Sequence, residues 1–455
     1  MADVLMISVS GVRGLIGRTM TPQVATEFGQ AFGAFLVKNP GPGAAAGPLA
    51  VAIGRDSRPS GPMVQAALTA GLLSVGVNVI DLGVATTPGV ALMGRFLKTA
   101  ASVVITASHN PLEWNGIKFL RHDGVAFPPT DAAVIKQSYF DKNWTMQEIA
   151  KLGRYSTDSR THAQHVQRVL AVVDAKGIAE QRYKVVLDSV NGAGCVATPT
   201  LLSKLGAEMA HMNGEATGNF AHTPEPTKEN LTGLCDEVKR RGAAVGFAQD
   251  PDADRLAIVD EHGAYIGEEY TLALATLARL SVKPGPVVAN LSTSRMVDDL
   301  ARRFNCEVFR SAVGEANVAA KMMEVGAVIG GEGNGGVIDP RVGPVRDSFV
   351  GIALVLEHMA RTKKTISALV AEIPAYTMVK SKFPCTPEEA ASLVNKARTA
   401  FAGARMDTTD GARIDTPEGW VHVRPSNTEP IARVIAEGAT HAAAEALVQR
   451  VMALR

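Results

Sequence analysis

Three aspartates at alternate positions, Asp250, Asp252 and Asp254 in the segment DPDADR, carry the sharpest chemical signal in the chain. Alternate side chains of an extended segment point to one side, so three carboxylates would share one small volume. Like charges at that density repel unless a cation neutralises them, and a purely carboxylate set of oxygens suits a hard divalent ion such as Mg²⁺. An exposed acidic turn would accommodate two such residues but three only poorly. An EF-hand is excluded: counting from Asp250, Glu261 falls at the twelfth position, but the sixth is Arg255 where glycine is required, and LAIVD continues as a strand rather than a helix.

Three further loops carry groups that could act together with the acids. TASHNP sets Ser108, His109, Asn110 and Pro111 at the end of an apolar, β-branched run. A Ser-His hydrolase is a weak reading, because adjacent residues do not face each other on regular structure and no GxSxG elbow is present. GEGNGG sets Glu332 and Asn334 among five glycines (330, 331, 333, 335 and 336), without the GxGxxG opening a helix that a dinucleotide would need. RPSNTEP offers Arg424, Ser426, Asn427 and Thr428, with Arg433 shortly after. Guanidinium, hydroxyls and backbone N–H groups converging in a loop can cradle a phosphate, whereas an isolated SNT is by default a polar hairpin tip.

The elements needed to position these loops are legible as alternating strands and helices, the pattern of α/β domains. LAVAIGRD (49–56), 77–82 and 101–107 read as strands and 62–76 as a helix; GIKFLRHDGVAFP reads as a hairpin turning at His122, Asp123 and Gly124. The rhythm restarts near Thr161 with the helix of HAQHVQRVLAVVD, the strand YKVVLDSV and a helix over 194–205, and again after Gly267. SVVITASHNP, AAVGFAQDPDADR and GAVIGGEGNGG each run from an apolar strand into a polar or Gly-rich loop, at the strand ends where open α/β sheets bind ligands. After about Thr365 the order becomes strand, helix (387–401), two strands around RPSNTEP and a last helix from His441, an α+β module. The spacing predicts domains over 1–155, 156–260, 261–370 and 371–455, with the Gly/Pro/Ala stretch 40–48 as a surface loop of the first.

Composition removes several function classes. With 46 basic and 45 acidic residues among 455, the formal charge is +1, so no electrostatic footprint favours nucleic acid or an anionic membrane. At 46% hydrophobic and 20% charged, the chain has the profile of a globular protein rather than a disordered one. Cys195, Cys235, Cys306 and Cys385 form no CxxC pair, so neither a disulfide framework nor zinc is expected. The acidic start and the absence of a run of ~20 apolar residues fit a cytoplasmic protein.

Taken in order, the four motifs resemble those of the α-D-phosphohexomutase superfamily: phosphoglucomutases, phosphomannomutases and phosphoglucosamine mutases. TASHNP matches its phosphoserine loop, DPDADR its metal loop, GEGNGG its sugar-binding loop and RPSNTEP its phosphate-binding loop. SGVRG with Arg13 and GRDSRPSG (54–61) match two further family stretches. The haloacid-dehalogenase type of phosphomutase does not fit, since its paired aspartates lie near a domain's first strand and precede Thr or Val.

The resemblance implies three tandem α/β domains with mixed sheets and a C-terminal α+β domain around one central cleft. It implies Mg²⁺ held by Asp250, Asp252, Asp254 and phospho-Ser108, with Arg255 clamping the same phosphate. Lys118 matches the candidate proton shuttle, with His109 as the alternative, and Arg13 joins the catalytic set. Glu332 and Asn334 would meet the sugar, and Arg424, Ser426, Asn427, Thr428 and Arg433 the phosphate that is not reacting. The reaction implied is phosphoryl transfer between O6 and O1 through a hexose 1,6-bisphosphate, which also acts as activator, in a monomer or homodimer. Many members end the sugar loop in Ser-Gly-His, where this chain has Asn334, Gly335 and Gly336. GGEGNGGVI and SAVGEANV look most like the phosphoglucosamine mutases of archaeal type, so glucosamine 6-phosphate is the expected substrate and glucose or mannose phosphate the alternative. A phosphosugar sensor would need no Ser108 relay, and a phosphatase would differ only in admitting water.

Overall fold

The computed structural model describes residues 5–8, 11–41, 49–426 and 431–455. The chain forms two compact units: the first runs to Thr271 and takes in Gly335–Ala368, and the second comprises Leu272–Asn334 and Leu369–Arg455. The 42–48 part of the predicted Gly/Pro/Ala loop, together with Asn427 and Thr428, lies outside the described residues.

In the first unit, a seven-stranded mixed sheet has the order Met6–Ser8, Gly11–Leu15, Trp114–Arg121, Ala101–Ile105, Ala50–Arg55, Asn78–Val84 and Tyr155–Thr157. Ala101–Ile105 is buried throughout, the expectation for an apolar strand covered on both faces. It runs parallel to Ala50–Arg55 and antiparallel to Trp114–Arg121. The predicted turn at His122 to Gly124 forms, with Gly124 N–H donating to the Arg121 carbonyl. Its second arm is not a strand, however, and shrinks to one bridge between Leu120 and Ala126. Pro128 and Pro129 follow at once and remove the N–H groups a longer ladder would need.

A second sheet of this unit orders Leu256–Val259, Val245–Gln249, Lys184–Asp188 and Glu208–Met212. Val245–Gln249 is parallel to Lys184–Asp188 and antiparallel to Leu256–Val259. The aspartate segment is therefore the connection of a hairpin whose arms are both fully buried.

In the second unit, Val308–Ser311, Val287–Asn290 and Ile329–Glu332 are parallel neighbours. A five-stranded antiparallel sheet follows, ordered Thr377–Pro384, Ile431–Gly438, Gly419–Pro425, Ala412–Thr416 and Arg405–Asp407. Val421, Val423, Ala432, Val434 and Ala436 form a core with Leu393 and Ala397 of helix Pro387–Ala400 and Leu447 and Val448 of helix His441–Met452. Two of these strands, Arg405–Asp407 and Ala412–Thr416, exceed the sequence expectation. Both are short, and the TTDG turn between them reads in isolation as part of one loop. Among the described residues no helix is long and apolar enough to cross a membrane, and the four cysteines are free.

Helix Pro22–Lys38 packs on helix Gly61–Ser74 through facing glycines. A methyl group at Gly71 would lie 2.2 Å from the Thr26 carbonyl oxygen, and one at Gly29 2.4 Å from that of Leu68. Overpacking of this kind costs about 1–3 kcal/mol, more than the ~1 kcal/mol that alanine gains over glycine within a helix. Gly71→Ala should therefore lower the urea midpoint of the first unit, followed by circular dichroism. Gly233→Ala, where a methyl would meet only Met212 Cε at 3.8 Å, should be neutral or slightly stabilising. An unchanged midpoint for Gly71→Ala would remove the packing argument.

Candidate active site

Ser108 leaves the buried strand Ala101–Ile105 in a left-handed conformation, φ +51°. That conformation costs a non-glycine residue about 1–2 kcal/mol and must be held. Ser108 N–H donates to Thr106 Oγ1 at 2.8 Å, and the Thr106 hydroxyl in turn donates to Asp56 Oδ2 at 2.7 Å. Arg58, wholly buried, then spends every guanidinium N–H on the same region. Nε donates to Asp56, Nη2 to the carbonyls of Ser108 and Asn110, and Nη1 to those of Pro111 and Trp114, at 2.7–3.1 Å. The main chain is pinned while the Ser108 hydroxyl stays available: Oγ donates to Asp250 Oδ2 at 3.0 Å and lies 3.4 Å from His109 Nδ1.

The aspartate hairpin folds back on itself. Asp250 Oδ1 accepts the N–H groups of Asp254 and Arg255, each at 3.1 Å, and Ala253, just before them, has φ +54°. Two helices bring partners. Helix Thr87–Leu97 aims its first residue at Asp252: Thr87 N–H donates to the Asp252 carbonyl, and its hydroxyl to Oδ2 at 2.6 Å. Helix Ser348–Thr362 contributes the Ser348 hydroxyl, which donates to the Ala253 carbonyl at 2.7 Å. Arg346, just before that helix, donates to Asp254 Oδ2 at 2.6 Å. Lys118, on strand Trp114–Arg121, reaches Asp252 Oδ2 at 2.7 Å and Asp254 Oδ2 at 3.6 Å.

All three aspartates are completely buried, and their carboxylate oxygens lie within 4.8 Å of one another. Burial pushes Asp250 well above the ordinary carboxylate range, and the charges of Asp254 and Asp252 push the same way. Burial also opposes ionisation of Asp252, but the Lys118 ammonium beside it overcomes the penalty and holds it below that range. Asp252 Oδ1 and Asp254 Oδ1 are buried without a hydrogen-bond partner, a costly state for an anion's oxygens unless something cationic meets them. Unsatisfied, converging and exclusively oxygen donors fit a hard divalent cation, and the residues that could hold it are Asp250, Asp252 and Asp254 with an oxygen on Ser108.

Cationic groups lie close to His109, the residue after the serine. Arg13 Nη1 donates to Asn110 Oδ1 at 3.1 Å, and Arg255 lies with Nη1 3.8 Å from Glu225 Oε1. His109 faces the same carboxylate at 3.9 Å. Desolvation pushes the His109 imidazole down to about 2, and Arg255 and Arg13 add to it. The ring is therefore neutral and unable to serve as a standing imidazolium.

The remaining predicted residues belong to the second unit. Glu332, at the end of strand Ile329–Glu332, accepts Asn290 Nδ2 at 2.9 Å and Gly314 N–H at 3.0 Å. Gly333 N–H donates to Thr293 Oγ1, and Asn334 Oδ1 is buried with no hydrogen-bond partner. Arg424 is buried, its Nε donating to Asp410 Oδ2 at 3.0 Å. Arg424 stands directly across from Arg433, which stands across from Lys382, so three cations share one face of the antiparallel sheet. Ser426 N–H donates to the Ile431 carbonyl at 2.9 Å.

The structure thus gathers Ser108, His109, Lys118, Arg13, Arg255 and the three aspartates in one unit, and Glu332, Asn334, Arg424, Ser426 and Arg433 in the other. Sequence reading does not single out Thr87, Arg346, Glu225, Lys382 or Asp410. A buried arginine before a helix looks like any surface arginine in one sequence, and threonine at a helix start reads first as a cap. GRDSRPSG is legible as a family stretch, but the work of Asp56 and Arg58 within it emerges only from the fold.

Comparison with known proteins gives one answer along the chain. The models for phosphoglucomutase/phosphomannomutase alpha/beta/alpha domains I, II and III match residues 6–146, 163–263 and 267–376, and that for the C-terminal domain matches 378–454. A phosphoglucomutase/phosphomannomutase of Thermococcus kodakarensis is 38% identical over 94% of this chain and 93% of its own. A protein of Methanopyrus kandleri described as probable phosphoglucosamine mutase is 36% identical over 94% and 92%. The crystal structure of a phosphoglucomutase/phosphomannomutase family protein from Burkholderia thailandensis superposes with a TM-score of 0.85 at 28% identity, covering 99% of this chain and 96% of that one. With four domain matches in order and relatives similar from end to end, the chain belongs to the phosphoglucomutase/phosphomannomutase family, the α-D-phosphohexomutases, and is an intramolecular phosphotransferase.

Proposed function

We propose that the enzyme interconverts glucosamine 6-phosphate and glucosamine 1-phosphate through a phosphoserine at Ser108. The observation that carries the relay is the Ser108 hydroxyl 3.0 Å from Asp250, inside a buried aspartate set with unsatisfied oxygens. Phospho-Ser108 gives its phosphoryl group to the free hydroxyl of the sugar phosphate, forming a hexose 1,6-bisphosphate. The intermediate turns end for end and returns its other phosphoryl group to Ser108. Mg²⁺ held by Asp250, Asp252, Asp254 and the Ser108 phosphate would neutralise charge on the transferring group. Arg13 and Arg255 hold the phosphoryl oxygens, and Lys118 handles the hydroxyl proton, with the neutral His109 ring as second candidate.

On the handling side, Glu332 takes ring hydroxyls, and Arg424, Ser426, Asn427, Thr428 and Arg433 take the phosphate at rest. Asn334 supports the choice of sugar. Its buried Oδ1 lacks a donor, and a protonated amine at C2 would supply a charge-assisted one. The reading includes a division of the chain near 155, 260 and 370, a cytoplasmic location, and a monomer or homodimer.

Ser108→Ala should abolish turnover while glucose 6-phosphate binding, measured by calorimetry, stays within about threefold, since the phosphate cradle is separate from the relay. Peptide mapping after incubation with glucose 1,6-bisphosphate should find a phosphoryl group on Ser108 of the unsubstituted enzyme; its consistent absence would end the relay mechanism.

Asp254→Asn keeps shape and removes charge. Activity should fall by about 10–100-fold, and the MgCl₂ needed for half-maximal rate after chelation should rise. Full activity in the chelated enzyme would exclude a metal-assisted transfer.

For the sugar, kcat/KM should favour glucosamine 6-phosphate over glucose 6-phosphate by about tenfold, the scale of one charge-assisted hydrogen bond. Asn334→Ala should erase that preference. A clear preference for glucose or mannose phosphate would assign the enzyme to the alternative substrates.

A further inference from the structure

Glu332 and Arg424 are joined by a closed circuit of hydrogen bonds that passes through Asp410, a residue of the TTDG turn between strands Arg405–Asp407 and Ala412–Thr416. One branch is short. Asp410 Oδ2 accepts Arg424 Nε and the N–H of Val313, each at 3.0 Å, and the next N–H, that of Gly314, donates to Glu332 Oε1 at 3.0 Å. The other branch leaves from the main chain of the same residue. The Asp410 carbonyl lies 2.6 Å from His422 Nε2, and His422 Nδ1 lies 2.9 Å from Ser292 Oγ. Ser292 N–H donates to Asn290 Oδ1, and Asn290 Nδ2 donates to Glu332 Oε1.

The protonation pattern of the second branch follows from its ends. A carbonyl can only accept, so His422 Nε2 carries the proton and Nδ1 accepts from the Ser292 hydroxyl. Burial pushes His422 down to about 4, which keeps the ring in that neutral form. Gly411 lets the turn sit where it does: a methyl there would lie 2.1 Å from the Val423 carbonyl oxygen and 2.9 Å from Arg424 Cα. The turn is therefore pressed onto the strand that presents the guanidinium.

We propose that Asp410 is a positioning residue that fixes the separation between the carboxylate meeting the sugar hydroxyls and the guanidinium meeting the resting phosphate. This rests on the roles given to Glu332 and Arg424 above. An intermediate held in two opposite orientations exchanges its reacting end, while these two anchors stay the same. Their separation is thus the quantity the enzyme must keep constant, and two anchors at a fixed spacing cooperate where two loose ones do not.

The test uses the full-length Ser108→Ala protein, which binds without turning over, titrated by calorimetry with glucose 6-phosphate, which spans both anchors, and with inorganic phosphate, which can meet only one. Asp410→Asn should weaken glucose 6-phosphate by about tenfold and inorganic phosphate by no more than about threefold. Equal losses for the two probes would make Asp410 a local support of Arg424 alone and overturn the proposal, as would no loss in either. With Ser108 restored, KM should rise about tenfold while kcat changes less than about threefold, a split that general loosening of the fold would not give. Glu332→Gln and Arg424→Lys are measured alongside. If both leave glucose 6-phosphate affinity intact, the anchor roles themselves fail; if they weaken it and Asp410→Asn does not, only the coupling fails. Should Asp410→Asn not fold, Ser292→Ala, which opens the other branch, decides the matter: an affinity loss confined to glucose 6-phosphate supports the circuit, and unchanged affinity overturns it.

Discussion

Three fully buried carboxylates within 4.8 Å of one another are the constraint around which the first unit is arranged. At that separation and an effective dielectric near 20, each pair of charges repels by about 3–4 kcal/mol, before the cost of taking any of them out of water. The fold answers with partners drawn from distant parts of the chain. Lys118 comes from the middle of an interior strand, Thr87 from a helix start, Arg346 from the approach to another helix, and two backbone N–H groups from the hairpin itself. Among the described residues, the side chains of two cations, Lys118 and Arg346, meet the three anions directly. The imbalance shows in Asp250, which is pushed toward its protonated form, and in two carboxylate oxygens left with no donor. A site so arranged is incomplete as a structural ion cluster and coherent as a receptor for one more cation.

The second unit solves a different problem with different means. Its carboxylate, Glu332, accepts an amide and a backbone N–H on Oε1, and its cations Arg424, Arg433 and Lys382 line one face of an antiparallel sheet. Hydrogen-bonded geometry dominates, in keeping with recognition by hydroxyl and phosphate oxygens rather than bond-making. A phosphohexomutase needs both: a place where charge on a moving phosphoryl group is neutralised, and a place where the rest of the sugar phosphate is recognised in two orientations.

How much of this can be read from residues alone varies with the kind of signal. The strand Ala101–Ile105 and the helix Gly194–Lys204 follow from apolar patterning, and the aspartate hairpin is legible because alternate acids between two apolar runs leave few alternatives. The arm after His122 misleads because two prolines beyond it outweigh the β-pattern before them. Strands Arg405–Asp407 and Ala412–Thr416 escape because three- and five-residue strands contribute too few alternations to stand out. At the site, motif residues are legible and their counter-charges are not. Arg346 and Asp410 act through long-range contacts, 92 positions from Asp254 in one case and 14 from Arg424 in the other, and no local pattern records such a pairing.

The restraint on Ser108 is placed on its main chain rather than its side chain, and this choice has a chemical reason. On the phosphoserine relay proposed for Ser108, bonds made by its own hydroxyl are lost whenever that oxygen is esterified, so they cannot be what positions the residue. Arg58 instead holds the carbonyls of Ser108, Asn110, Pro111 and Trp114, and Thr106 holds the Ser108 N–H. These contacts involve no atom of the serine side chain, so none is broken by esterification of Oγ. The left-handed backbone costs about 1–2 kcal/mol, and charge-assisted bonds from a desolvated guanidinium offset it. These contacts leave Oγ to donate to Asp250 Oδ2 at 3.0 Å, so that on the proposed relay the oxygen is set beside the aspartates in advance of the transfer, where orientation counts for most of what a phosphoryl-transfer site can contribute.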